Sequence, residues 1–170
     1  MKKKNLLIAV FVVATAMFSG CAKDGATGPQ GPAGTNGSAN VNTALFNVTP
    51  GQWNNPSSGY YNFGIADADI TNSDNDVVMV YMLSGQTGGS DTWVSLPISN
   101  WFVSGDDMYF TYFGSSSAAG EIALYYNSSS AQSSTLTFKA VVIPPAARMA
   151  NTNVNLKNYE EVKAAFNLQD

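Results

Sequence analysis

Carboxylates, aromatic rings and a single thiol hold whatever chemistry this chain can do. Its 170 residues include no histidine and one cysteine, Cys21. The commonest general base, the Ser–His and Cys–His nucleophile pairs and the usual zinc ligand are therefore missing. The densest acidic stretch is Asp67-Ala-Asp69 followed by Asn72-Ser-Asp74-Asn-Asp76. Hard oxygen donors suit Ca2+, which makes Asp67, Asp69, Asp74 and Asp76 the candidate calcium ligands. Against an EF-hand loop, Val77 stands where the turn needs glycine and Leu83 where a bidentate glutamate belongs. A turn with solvated carboxylates is the plainer expectation. Asp106-Asp107 would supply two carboxylates for glycoside hydrolysis, but adjacent residues in an extended segment point to opposite sides. A turn opening a strand at Met108 fits that pair better. Trp53, Trp93 and Trp101, with Tyr60, Tyr61, Tyr125 and Tyr126, can stack on sugar rings or fill a core. Trp53 and Trp101 lie beside turn signals and are the better exposed candidates for sugar stacking. The tracts Ser115–Ser117 and Ser128–Ser130 read as loops.

The thiol has a more specific setting. Lys2, Lys3 and Lys4 precede an apolar run from Leu6 to Phe18, which is followed by Ser19-Gly20-Cys21. Those 13 residues are too few to cross a hydrocarbon core of ~30 Å, which takes about 20. They fit a cleaved export signal. The tetrapeptide Phe18-Ser19-Gly20-Cys21 is similar to the lipobox of bacterial lipoproteins, with Phe18 in place of the usual leucine. That resemblance implies cleavage before Cys21 and a diacylglycerol and acyl lipid on its sulfur. It also implies a membrane anchor of two or three chains. Ala22, where an aspartate would retain a lipoprotein at the inner membrane, implies the outer membrane. Periplasmic and cell-surface display both fit. Apart from this covalent lipid and the calcium considered above, no cofactor is expected.

Past Cys21, five basic residues (Lys23, Lys139, Arg148, Lys157 and Lys163) face twelve acidic ones, a net charge of −7. With no basic cluster, neither nucleic acid nor an anionic lipid surface is an expected partner. Charged residues make up 12% of the chain, about half of the usual share. Ser, Thr, Asn and Gly supply the polarity instead, which disfavours a helical bundle.

Gly25, Gly28, Gly31, Gly34 and Gly37 recur every third residue. This is the spacing a collagen helix needs, since only glycine fits its axis. A homotrimeric triple helix and a single-chain tether both fit so short a run. At ~3.1 Å per residue, roughly 45 Å is the reach of 15 extended residues.

Beyond residue 41 the chain alternates strand-length apolar runs with turn clusters. The runs are Ala44–Thr49, Tyr60–Ile65, Val77–Leu83, Thr92–Pro97, Trp101–Val103, Met108–Phe113, Glu121–Tyr126 and Leu136–Ile143. The spacing predicts an all-β sandwich or jelly roll. Val77–Leu83 is apolar on both faces and reads as a central strand. Near the C-terminus, Tyr159, Val162 and Phe166 share one face of a short helix, with Asn158 able to cap it. That helix is expected against the sandwich edge. The predicted organisation is a signal at 1–20, a lipidated N-terminus at 21–24 and a collagen-like stalk or tether at 25–40. A β-sandwich head at 41–145 and a linker with the helix at 146–170 complete it.

This order resembles the collagen-like surface lipoproteins of certain Gram-negative bacteria. It runs from lipobox through Gly-x-y run and aromatic all-β domain to Lys139-Ala-Val-Val-Ile-Pro144 and Asn158-Tyr-Glu-Glu-Val-Lys163. The resemblance brings no activity with it. The expected role is non-enzymatic: a lipid-anchored envelope protein that displays its head for structural, adhesive or assembly contacts with a surface protein. The alternative is a carbohydrate-binding surface module that captures glycans.

Overall fold

Residues 41–115 and 118–169 are described by the computed structural model. The predicted signal, Cys21 and the triplet glycines Gly25, Gly28, Gly31, Gly34 and Gly37 lie outside the described residues. Side-chain alternation sets the first strand, β1 (Asn42–Val48). It turns Ala44, Phe46 and Val48 toward the core and leaves Thr43, Leu45 and Asn47 exposed. The strands that follow are β2 (Asn54–Ser57), β3 (Tyr60–Asp67), β4 (Val77–Thr87), β5 (Ser90–Ser95), β6 (Ile98–Ser99), β7 (Asp107–Ser115), β8 (Ala118–Asn127) and β9 (Leu136–Ile143). They form a four-stranded sheet in the order β1-β9-β4-β5 and a five-stranded sheet in the order β2-β3-β8-β7-β6. The paired strands run antiparallel. The expected β-sandwich is the architecture that forms. Between the sheets lie Val80, Met82, Phe138, Ile122, Leu124 and Tyr126, all almost fully buried.

Register defines two poles. At the near pole the chain enters β1, with Asn42 opposite Val142 and Val77 opposite Ile143. β3 also ends there, with Asp67 opposite Gly120. At the far pole Val48 faces Leu136, and Tyr60 and Asp107 both pair with Asn127.

β4 is central, as its two apolar faces predict. Those faces also explain the C-terminal segment. After β9 come α1 (Pro145–Ala150), in a stretch read from sequence as linker, and α2 (Tyr159–Phe166). Asn158 caps α2, its side-chain oxygen accepting from the Glu160 N–H at 3.1 Å, and Asn167 closes it at φ +51°. α2 meets the edge strand β5, where Tyr159 packs on Trp93, and it also reaches inward from that edge. Together with Ala147 of α1, its buried face covers the outer face of the four-stranded sheet, where Tyr81, Val141 and Ile143 would otherwise meet water. One charge lies in this second core. Lys139 is 5% exposed. Its Nζ donates to the Tyr159 hydroxyl at 2.8 Å and lies 4.6 Å from the Trp93 ring and 4.7 Å from the Tyr159 ring. Two aromatic faces replace part of its hydration.

Tyr81 ties the cap to the sheet, its hydroxyl donating to the Leu156 carbonyl at 2.5 Å. Burial, and then the Tyr159 phenol beside it, push the Tyr81 hydroxyl well above the ordinary tyrosine value. Its stabilisation is therefore complete below about pH 10, where the unfolded tyrosine titrates, and is lost as pH rises toward the folded value. Urea midpoints measured between about pH 8 and pH 12 are expected to fall steeply above the unfolded value. In Tyr81→Phe that slope is expected to flatten while stability at neutral pH drops by about 1 kcal/mol for the lost hydrogen bond. An unchanged slope would contradict the assignment.

Candidate functional site

The run Trp101-Phe102-Val103 reads as strand-like, yet it forms a loop. The cause is the aspartate that follows. Asp106 is 3% exposed, and its carboxylate accepts from three successive backbone N–H groups: Trp101 at 2.8 Å, Phe102 at 2.9 Å and Val103 at 3.1 Å. Main-chain bonds complete the loop, from Asn100 N–H to the Asp106 carbonyl at 2.8 Å and from Asp106 N–H to the Val103 carbonyl at 3.2 Å. The Asn100 side chain accepts from Gly105 N–H at 2.7 Å, and both residues adopt the left-handed backbone, at φ +54° and +87°. Such a conformation suits Asn and Gly and strains most others. With its polar groups turned inward, the loop presents Trp101 (46% exposed), Val103 (39%) and Phe102 (37%) to solvent. Phe102 keeps one edge against Tyr126, at 5.8 Å between ring centroids.

A second aromatic feature adjoins this tip at the far pole. On the outer face of the five-stranded sheet, the Tyr109 and Tyr125 rings stack at 5.0 Å across β7 and β8. Tyr60 of β3 leans on Tyr125 at 5.9 Å. Stacked rings at strand spacing hide their faces from one another and offer edges and hydroxyls outward. Polar groups border the row: Asn62 pairs opposite Tyr125, and Asn127 Nδ2 donates to Asp107 Oδ2 at 2.9 Å. Exposed Thr111 and Phe113 extend the same face along β7. Loss of water, followed by the Tyr125 and Tyr109 phenols, holds the Tyr60 hydroxyl above its ordinary value. Both helices lie on the other sheet.

The sequence candidates distribute unevenly. Trp101 is exposed as expected. Trp53 is not: at 8% exposure it packs in the main core against Tyr126 and Phe63, 6.2 and 6.4 Å away. It offers no ring face to a sugar, because the chain crossing from β1 to β2 folds it inward. Tyr61 and Tyr126 face the core as well. Trp93 packs on Tyr159 at 5.7 Å. Tyr109 escaped notice, although its place two residues after Asp107 in an alternating strand puts it on the same face as Tyr125.

Asp67, Asp69, Asp74 and Asp76 do not converge as one ligand set. Buried Asp76 accepts from Thr71 and Asn72 N–H at 3.2 and 2.9 Å, and Asp67 accepts from Asp69 N–H at 3.0 Å. Asp69 and Asp74 are exposed. Among the described residues, no three acidic, histidine or cysteine side chains are grouped to hold a metal ion. These carboxylates shape a turn. Comparison with protein-family models, with curated proteins and with solved structures gave no match.

The Asp106 carboxylate is expected to govern the tip. Asp106→Ala leaves three N–H groups without their acceptor and should lower stability by about 1–3 kcal/mol in urea unfolding. Trp101→Ala removes only an exposed ring and should change stability by less than about 0.5 kcal/mol. Equal losses in the two variants would show that Trp101 is part of the packing and not displayed.

Proposed function

We infer that this chain is a non-enzymatic, lipid-anchored protein of the outer membrane, held through acylated Cys21. Its β-sandwich makes adhesive or assembly contacts. The observation that carries the contact role is the Asp106-held loop. Three consecutive large apolar side chains face water on a backbone whose bonds over-determine its shape, at the pole opposite the one where the chain enters β1. Exposed apolar groups gathered on a fixed scaffold mark interaction surfaces. The composition around them points the same way. Tyr, Trp, Ser, Asn and Gly crowd the far pole at Asn54–Tyr60, Asn100–Gly105 and Asn127–Ser130. Rigid aromatic anchors among small adaptable polar residues are the make-up of protein-binding paratopes. The signal, Cys21 and Ala22 support the address, and the Gly-x-y run supports a spacer between anchor and head. The resemblance to collagen-like surface lipoproteins supports both. Carbohydrate capture is the second reading, favoured by the half-exposed Trp101 ring.

Two outcomes test the first reading separately. Cys21→Ser should move the protein from the membrane fraction to the soluble fraction, and retention in the membrane would defeat the anchor. Cells carrying Trp101→Ala with Tyr109→Ala should keep the protein in the membrane and lose attachment to protein-coated surfaces. Wild-type attachment by that variant would remove the adhesive role.

A further inference from the structure

On the opposite side of the sandwich from the tyrosine row, the edge of β5 and the first turn of α2 border a half-open cavity of about 340 Å3. This is the small end of the ~300–1,000 Å3 range of ligand pockets. Its aromatic wall is the half-buried Trp93 ring, backed by the almost fully buried Tyr159, and these two rings flank Lys139. Two carboxylates, Asp91 and Glu160, stand with them. Hydroxyls of Thr87, Ser90 and Thr92 complete the β side. We propose that this cavity is a binding site for a neutral saccharide, one or two sugar rings in size.

The wall chemistry selects that class. An anion meets Asp91 and Glu160, while the Lys139 ammonium is buried behind the rings. A quaternary or primary amine would gain from the carboxylates, but the Lys139 ammonium, 4.6 Å from the Trp93 ring, repels a second cation placed against that ring. A neutral polyol suffers neither conflict. Its hydroxyls donate to carboxylates in charge-assisted bonds, exchange hydrogen bonds with threonine and serine, and its C–H face lies on an aromatic ring.

The groups are also held in place. Asp91 Oδ1 accepts from Gln86 Nε2 at 2.8 Å, and Thr92 Oγ1 donates to Thr87 Oγ1 at 3.3 Å. The Trp93 indole N–H is buried without an acceptor among the described residues. Its ring is therefore oriented by contact with Tyr159 and Lys139 and not by a hydrogen bond of its own. This site is separate from the far-pole contact surface, so either can fail alone.

The test uses the mature chain carrying Cys21→Ser, which alters no other residue, labelled with 15N at tryptophan. Its three indole N–H resonances report on Trp53, Trp93 and Trp101 separately. The probes are glucose, galactose, mannose, N-acetylglucosamine, lactose, maltose and cellobiose, with choline and inorganic phosphate as controls. At least one saccharide is expected to shift the Trp93 signal saturably while the Trp53 signal stays fixed. Asp91→Asn and Glu160→Gln, both at exposed positions, should each weaken that binding about tenfold without altering the free spectrum elsewhere. The proposal is overturned by no saccharide shift at Trp93, by a response to choline or phosphate alone, or by unchanged affinity in both variants. A saccharide shift confined to Trp101 overturns this pocket and supports glycan capture at the far pole.

Discussion

The four-stranded sheet has two apolar faces, and the rest of the molecule is arranged to cover both. Seven of the eight residues of β9 are buried, and β4 is buried on both sides through Val78, Val80, Tyr81 and Met82. A strand of this kind cannot sit in a two-layer sandwich with one wet face. The five-stranded sheet covers one side, and the chain after Pro144 covers the other with two short helices. Neither helix is long enough to stand alone in water. Each exists because Tyr81, Val141 and Ile143 give Ala147, Tyr159, Val162 and Phe166 somewhere to go. Lys139 shows how tightly this layer is specified. An amine in such a place is tolerated only with partners, and Trp93 and Tyr159 supply two ring faces and a hydroxyl. The same two rings then line the neighbouring cavity, so the packing of the cap and the chemistry of the pocket share residues.

The five-stranded sheet is built on the opposite plan. Its inner face is as apolar as its partner's, with Ile122, Leu124 and Met108 almost fully buried. Its outer face carries Tyr60, Asn62, Tyr109, Thr111 and Tyr125, which can meet water through hydroxyls and amides, and it leaves the Phe113 ring exposed further along β7. This side needs no third layer. A tyrosine row is stable when wet and still offers large rigid area to a partner. The asymmetry between the two outer faces places the available surface on one side and the structural cap on the other.

Much of the fold was legible in the sequence because strand alternation and turn residues are local signals. β1, β3, β4, β7, β8 and β9 fall where the apolar runs stand, and Tyr159, Val162 and Phe166 share the helix face read from their spacing. Three features were hidden for physical reasons. β2, Asn-Asn-Pro-Ser, is wholly exposed and has no apolar pattern to read. α1 lacks a first-turn acid or a capping side chain and owes its place to contact through Ala147. Trp101–Val103 has the residue types of a strand, and only the burial of Asp106, three to five residues further on, turns it into a loop. Among the candidate site residues, Trp53 and Trp101 looked alike by turn proximity. They diverge because one lies on a crossing between sheets and the other on a loop tip, a difference of topology that no local signal holds.

Two buried aspartates, Asp76 and Asp106, serve the same physical purpose at opposite poles, and that bears on how the exposed tip should be understood. At the near pole Asp76 gathers the Thr71 and Asn72 N–H groups; at the far pole Asp106 gathers those of Trp101, Phe102 and Val103. Both carboxylates are buried, and both replace a strand's ladder bonds with a side-chain acceptor. The two loops then part company. The near-pole loop turns its large apolar residue, Ile70, into the core, where Gly114 and Gly120 have no side chain and let it approach. A Cβ on Gly120 would meet the Asp67 carbonyl oxygen at 2.7 Å and clash with Ile70 itself. The far-pole loop leaves three apolar residues outside. A buried aspartate therefore does not compel exposure, since the same device elsewhere in the chain hides its apolar residue. Display of Trp101, Phe102 and Val103 is a property of that loop alone, and a surface contact is the physical circumstance in which such an arrangement gains free energy.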